Sequence, residues 1–167
     1  MNSKLKKSSI TQYWPLISLI TVSILAAFAI NWRLNGDMVV WMHYFMGILL
    51  VIFSALKLFN LSKFADGFEM YDILAKRTRM YAYLYPFIEL VLGLLYLSFI
   101  LPTLTYLLTI VILTFGSIGV IKALKQGLNI NCACMGSILN VPLSTVTLTE
   151  DIGMALMALS LLFMTVS

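Results

Sequence analysis

Long apolar runs alternate with short polar segments along most of the chain. A bilayer core about 30 Å thick needs about 20 apolar residues for one helical span. The chain supplies five such predicted spans, at residues 13–32, 38–59, 82–101, 104–124 and 148–166. No soluble domain remains once they are subtracted. The pattern therefore predicts an all-α fold, a polytopic transmembrane helical bundle.

The composition agrees with a membrane protein. Charged residues make up 11% of the chain and hydrophobic residues 61%, with a mean hydropathy of +0.98, whereas soluble domains carry about 25% charged residues. The first apolar run exceeds the usual signal-peptide length of about 7–15 residues and has no small-residue cleavage site before "NWRLNGD". We therefore expect an extra N-terminal helix within residues 1–37, followed by a four-helix membrane domain over 38–167.

Between spans two and three the apolar positions have helical spacing. Phe64, Phe68, Tyr71 and Ala75 recur at offsets of four, three and four, with charged residues on the other side. This pattern predicts an amphipathic helix, although Gly67 weakens it. We expect it to lie in the plane of the membrane interface, with basic residues directed toward lipid head groups.

The basic residues predict an orientation. Ten of the eleven lysines and arginines fall in segments that the predicted spans place on the same side of the membrane. Because short loops rich in lysine and arginine stay cytoplasmic, the amino terminus, the 60–81 connection and the cysteine loop should face the cytoplasm, and the carboxyl terminus the outside. The net charge of +4 is thereby explained by topology and contact with anionic lipids, and nucleic acid is not expected as a partner.

Two ionisable residues interrupt apolar runs. Lys57 lies in "FSALKLFNL" and Glu89 in "YPFIELVLGLL", and a charge at the centre of a span costs about 2.5–3.5 kcal/mol even on the lenient insertion scale. Both lie toward the cytoplasmic ends of antiparallel spans, so an intramembrane ion pair would reduce the cost for both. Alternatively, Lys57 snorkels to the interface and Glu89 is protonated.

His43, the only histidine, stands beside Met42 and Tyr44 at the predicted outer interface. We interpret it as a member of the aromatic belt rather than as a metal ligand or a base. The sequence shows no catalytic serine triad, paired carboxylate site, phosphate loop or multi-ligand zinc cluster.

The polar stretch "NINCACMGS", residues 129–137, holds both cysteines of the chain. Cys132 and Cys134 are separated by one residue, and Gly136 allows a sharp turn after them. A reversible disulfide between them would close a small strained ring of the kind that exchanges readily. Two thiolates could instead bind a soft cation such as Cu(I) or Hg(II), as a metal site. The residues alone leave both chemistries open.

A predicted helix start closes the cysteine loop. Thr147 and Glu150 form the capping box "TLTE", so span five should begin near Thr147, with Glu150 and Asp151 at its amino terminus. A structural cap explains both acids. A role as proton acceptor for the thiols is the alternative.

The chain resembles the MauE/DoxX-like family of redox-associated membrane proteins over about residues 40–166. The resemblance rests on "SALKLFNLSKFADGF", "YPFIELVLGLLYL" and "CACMGSILNVPLSTVTLTED", in that order. The family pattern has a lysine, a glutamate and a cysteine-x-cysteine loop followed by a glycine. In this chain these features are matched by Lys57, Glu89, Cys132, Cys134 and Gly136. Glu150 and Asp151 stand where the family often has Arg-Asn, and Met135 where it often has phenylalanine.

The resemblance implies an accessory role in thiol and disulfide handling, associated in methylamine utilisation with maturation of a disulfide-rich enzyme subunit. Because the chain has only one cysteine pair, a quinone or a thioredoxin-like partner would have to complete the electron path. Two alternatives remain at this point: a soft-metal carrier that works with a metallochaperone, and a non-catalytic assembly factor. Whether the chain is itself a thiol-disulfide oxidoreductase stays open.

Overall fold

The computed structural model describes residues 14–70, 72, 74–125 and 143–166. Within these ranges the chain forms six α-helices and no strand. The helices are α1 (Trp14–Leu34), α2 (Met38–Phe59), α3 (Leu61–Glu69), α4 (Arg79–Ser98), α5 (Pro102–Lys125) and α6 (Leu143–Val166). The predicted all-α, polytopic helical bundle is confirmed.

Four helices in the described ranges are long and apolar enough to cross a membrane. These segments are Leu16–Leu34, Met38–Phe59, Arg79–Ser98 and Pro102–Lys122. They correspond to predicted spans one to four. The fifth predicted span lies within α6, which is not among the four, so a five-span topology stays a prediction.

The helices run antiparallel in chain order, because short connections join most of them. α2 packs along α4 and α5 along α6, while α1 packs on α2. The end of the bundle where α2 ends and α4 begins also carries α3, and we call it the α3 end. α5 ends there and α6 begins there. The opposite end carries the α1–α2 and α4–α5 turns.

Local chemistry fixes several helix boundaries. Asp37 caps α2, because its side chain accepts a hydrogen bond from the backbone N–H of Val40 at 3.0 Å. α4 ends at Ser98 because Phe99 adopts the left-handed region with φ of 55°, which no helix continues through. This end lies three residues before the predicted boundary of span three, and α4 begins three residues earlier than predicted.

Helix α3 covers only the first part of the predicted interfacial helix. It ends at Glu69, so Ala75 lies beyond it in a turn, and Tyr71 lies outside the described residues. Its apolar face packs on the protein, since the Phe68 ring lies 4.6 Å from that of Tyr85 in α4. The amphipathic pattern is therefore explained by contact with the bundle on the apolar side.

The connection from α3 to α4 contains a buried acid, Asp72. Its side chain accepts hydrogen bonds from the backbone N–H groups of Leu74 at 2.9 Å and Ala75 at 2.8 Å. Burial raises the pKa of the Asp72 carboxyl above its ordinary value, while the two N–H donors and the charge of Lys76 oppose that shift. Asp72 thus organises the turn that leads into α4.

Candidate functional site

Lys57 and Glu89 form an ion pair in the interior of the bundle. The Lys57 ammonium donates to both carboxylate oxygens of Glu89, and the two side chains are only 4% and 2% exposed. One turn away the helices are joined again, since the Ser54 hydroxyl donates to the Pro86 carbonyl at 2.8 Å. A carbonyl oxygen has two lone pairs, so that of Pro86 can accept from Ser54 in addition to its partner within the helix. The pair therefore fixes α2 against α4.

Aromatic rings enclose the ion pair. The Lys57 ammonium lies 5.3 Å from the ring centroid of Tyr85 and 5.7 Å from that of Phe64, distances typical of cation–π contacts. Tyr85 also makes a side-chain hydrogen bond to Glu89. α3 thus places Phe64 beside the pair, and α4 itself supplies a further hydrogen bond to the carboxylate.

The α5–α6 helix pair brings Asp151 toward the same region. Asp151, in α6, is 6% exposed. A side chain added at Gly116 of α5 would place its Cβ 3.4 Å from Asp151 Oδ2 and 3.7 Å from the Tyr85 hydroxyl. These are ordinary contact distances, so the Asp151 carboxylate and the Tyr85 hydroxyl both lie beside Gly116. We call Lys57, Tyr85, Glu89 and Asp151 the buried ionisable set.

Glu150 is directed elsewhere. It is partly buried and lines an apolar cavity between α1, α2 and α6. Consecutive residues of a helix point about 100° apart. Glu150 and Asp151, which the sequence places together at a helix start, therefore face different parts of the bundle.

The predicted start of α6 is wrong in position. The helix begins at Leu143, so Thr147 lies inside it, and no acidic residue lies in its first turn. In the sequence, Pro142 comes directly before Leu143, and proline is favoured where helices begin. The capping box is thus outweighed by an earlier start. The side chain of Thr147 lies outside the described residues.

The cysteine motif also lies outside the described residues. Cys132, Cys134 and Gly136 belong to the segment 126–142, which connects α5 to α6. Chain connectivity tethers that segment to the α3 end, where α5 ends and α6 begins. Among the residues that the structure does describe, no group of three or more histidine, cysteine or acidic side chains could hold a metal ion.

His43 corrects a sequence-based interpretation. It is 1% exposed, not a surface member of the aromatic belt. Its Nδ1 lies 3.2 Å from the Tyr96 carbonyl and its Nε2 contacts the Tyr106 hydroxyl. Because a carbonyl only accepts, Nδ1 carries the proton and Nε2 accepts from Tyr106. Phe99 stacks on the imidazole at 4.3 Å, so the α4–α5 turn covers this site.

Sequence reasoning did not identify Tyr85 as part of the site. Its position four residues before Glu89 was available as a signal, because residues i and i+4 share one face of a helix. The approach of Asp151 had no such local signal.

The fold and the buried ionisable set define a class: polytopic all-α membrane proteins with ionisable groups packed between their helices. Residues 35–164 match the family described as methylamine utilisation protein MauE. The chain belongs to the MauE family. Neither a curated protein nor a solved structure matches it.

Proposed function

We propose that this protein handles thiol–disulfide exchange in the membrane through Cys132 and Cys134, as an accessory to a thioredoxin-like partner or to protein maturation. The family description places the setting in methylamine utilisation. The observation that carries the proposal is the buried ionisable set, which combines the Lys57–Glu89 pair of α2 and α4 with Asp151 of α6, the helix that follows the cysteine segment.

The exchange is a two-electron transfer. A thiolate of the partner attacks one sulfur of the Cys132–Cys134 disulfide, which breaks that bond and forms a mixed disulfide. The second thiolate of the partner then attacks the partner's other sulfur, the one held in the mixed disulfide, and so displaces the cysteine of this chain. The partner leaves as a disulfide, and the two cysteines take up the two protons that the partner thiols released. Two electrons thus pass from the partner to this chain, and the reaction is reversible.

The flanking helices favour the thiolate form. Lys122 and Lys125 lie exposed in the last turn of α5, just before the cysteine segment. The amino terminus of α6 follows that segment, and its dipole is positive. Both features stabilise a nearby thiolate, which is the attacking species in disulfide exchange.

Single cysteine variants test the proposal. In the reverse direction, the thiolate left in Cys132→Ser or Cys134→Ser attacks the disulfide of an oxidised partner, and the chain lacks the second thiol that would complete the exchange. Each variant should therefore trap a partner that migrates with the chain on a non-reducing gel. Reduction should release the partner for identification by mass spectrometry. The Cys132→Ser/Cys134→Ser double variant is the control and should trap nothing. Stoichiometric Cu(I) or Hg(II) uptake that blocks thiol labelling, without a trapped partner, would instead support the soft-metal carrier.

A further inference from the structure

An apolar cavity of about 360 Å³ lies between α1, α2 and α6. Ligand sites typically have volumes of about 300–1,000 Å³. Six of the lining residues are large and apolar: Leu16, Ile20, Phe45, Leu49, Met154 and Met157. The cavity therefore suits a molecule that dissolves in the membrane.

The geometry of α1 explains the cavity. Ser23 and Ala27 are fully buried, and small residues of this kind let helices approach closely. The larger Leu16 and Ile20, one to two turns earlier, are only partly buried. On the facing helix, a Cβ at Gly153 would meet nothing within 4 Å. The close contact of α1 at Ser23 and Ala27 thus holds the helices together beside the cavity. The cavity itself stays open because Gly153 has no side chain to fill it.

Glu150 is the ionisable residue among those that line this cavity. It lies seven residues after Leu143, about 10 Å along the axis of α6 from the α3 end. Its chain neighbour Asp151 faces Gly116 and Tyr85 in the buried ionisable set. The cavity consequently has an apolar body and one protonatable group, and that group is adjacent in the chain to a second buried acid.

We propose that this cavity binds a membrane-soluble quinone, with its ring at Glu150 and its apolar substituents against Phe45, Met154 and Met157. The inference rests on the proposed function and names its electron acceptor. Oxidation of the Cys132–Cys134 dithiol to the disulfide releases two electrons and two protons. Reduction of a quinone to a quinol consumes both, so the reaction balances. A protonated Glu150 donates a hydrogen bond to a quinone oxygen, and the carboxylate accepts one from the quinol.

The test uses the full-length protein in lipid nanodiscs and a photoreactive azidoquinone. Saturable labelling should map to α1, α2 or α6 and be displaced by excess short-chain quinone, whereas added phospholipid should not displace it. Gly153→Phe, which fills the cavity, should weaken quinone binding at least tenfold. Ile152→Phe is the matched control, because the side chain of Ile152 is 42% exposed on the outside of the same helix, and it should bind quinone as the wild type does.

Two further variants sharpen the result. Glu150→Leu, which removes the hydrogen-bonding group, should weaken quinone binding several-fold, and unchanged binding would overturn the role given to Glu150. If Gly153→Phe does not fold, Gly153→Leu tests the same space with a smaller side chain. Unaltered labelling in a folded cavity-filling variant, or equal displacement by phospholipid, would overturn the quinone site.

The two proposals fail in different ways. Quinone binding is measured in the Cys132→Ser/Cys134→Ser double variant as well, where it should persist. Trapped partners without quinone binding would overturn only the quinone site. Quinone binding without any trapped partner would overturn only the thiol exchange.

Discussion

At the scale of single residues, the Lys57–Glu89 pair offsets a large desolvation cost. Two charges removed from water lose several kcal/mol each, and their mutual attraction balances this loss only when the geometry and the remaining hydrogen bonds are good. Tyr85 and Phe64 supply that surrounding here, through their rings beside Lys57 and the Tyr85 hydrogen bond to Glu89. The pair therefore depends on both partners being present.

A double-mutant cycle tests this dependence. Lys57→Met or Glu89→Gln alone should lower the free energy of unfolding in detergent by about 3–5 kcal/mol, because each leaves a buried group without its ionic partner. The double variant should cost clearly less than the sum of the two. The exposed Arg79–Asp66 pair is the matched control and should give nearly additive effects. Strict additivity at Lys57 and Glu89 would contradict the coupling.

Asp72 predicts a pH dependence of stability. Because burial raises the pKa of its carboxyl above 3.8 in the folded protein, the folded state binds the proton more tightly than the unfolded state does. The stabilisation is complete below about pH 3.8 and is lost as the pH rises through the folded-state pKa. Thermal unfolding from pH 3 to 7 should show this loss in the wild type.

The Asp72→Asn variant provides the comparison. Its amide oxygen keeps an acceptor for the N–H groups of Leu74 and Ala75, but it does not titrate. Relative to the wild type, it should become more stable as the pH rises across that window. Identical pH profiles for the two proteins would show that Asp72 titrates normally.

At the scale of helices, close approach of α2 and α4 depends on two glycines. A Cβ at Gly93 would lie 3.0 Å from the backbone nitrogen of Val51 and 3.1 Å from the carbonyl oxygen of Gly47. These neighbours are backbone atoms, so they cannot move aside as a flexible side chain would. The Lys57–Glu89 and Ser54–Pro86 contacts lie in the same helix pair and need this separation.

Gly93→Ala should therefore destabilise the protein by about 1–3 kcal/mol, as overpacking does elsewhere. Gly153→Ala is the control, because its Cβ meets nothing within 4 Å, and alanine in a helix gains about 0.5–1 kcal/mol over glycine. The two melting temperatures in detergent should shift in opposite directions. Equal shifts would contradict the close packing of α2 on α4.

At the scale of the whole molecule, the protein is a multi-pass membrane protein of the MauE family, and its orientation rests on the charge pattern. The pattern predicts that the α3 end, with the cysteine segment, faces the cytoplasm. A membrane-impermeant maleimide applied to intact spheroplasts should leave reduced Cys132 and Cys134 unlabelled until the membrane is opened. The electron path proposed above would then begin on the cytoplasmic side.

The matched control carries a cysteine at the other end. Thr103 lies exposed in the first turn of α5, on the side predicted to face outward. Thr103→Cys in the Cys132→Ser/Cys134→Ser background should be labelled before lysis. Labelling of Cys132 and Cys134 before lysis, with Thr103→Cys protected, would reverse the orientation and favour a role in oxidising exported proteins.

The sequence by itself determined the helices, because a bilayer admits only segments that satisfy their own backbone, and long apolar runs mark them. It also determined that Lys57 and Glu89 needed an explanation, since a charge within an apolar run is costly wherever the helix packs. Because both residues lie toward the same end of antiparallel spans, their positions in the sequence were enough to predict a contact. These conclusions depend on local composition and on chain order.

Only the tertiary structure decided which helix faces meet. Helices that are apolar on nearly all sides carry little information about which side is buried. The position of Asp151 and Tyr85 beside Gly116, the burial of His43 under Phe99, and the space at Gly153 therefore had no local signal. Each depends on the packing of side chains from helices far apart in the sequence, and that packing is set by the shape of the whole bundle.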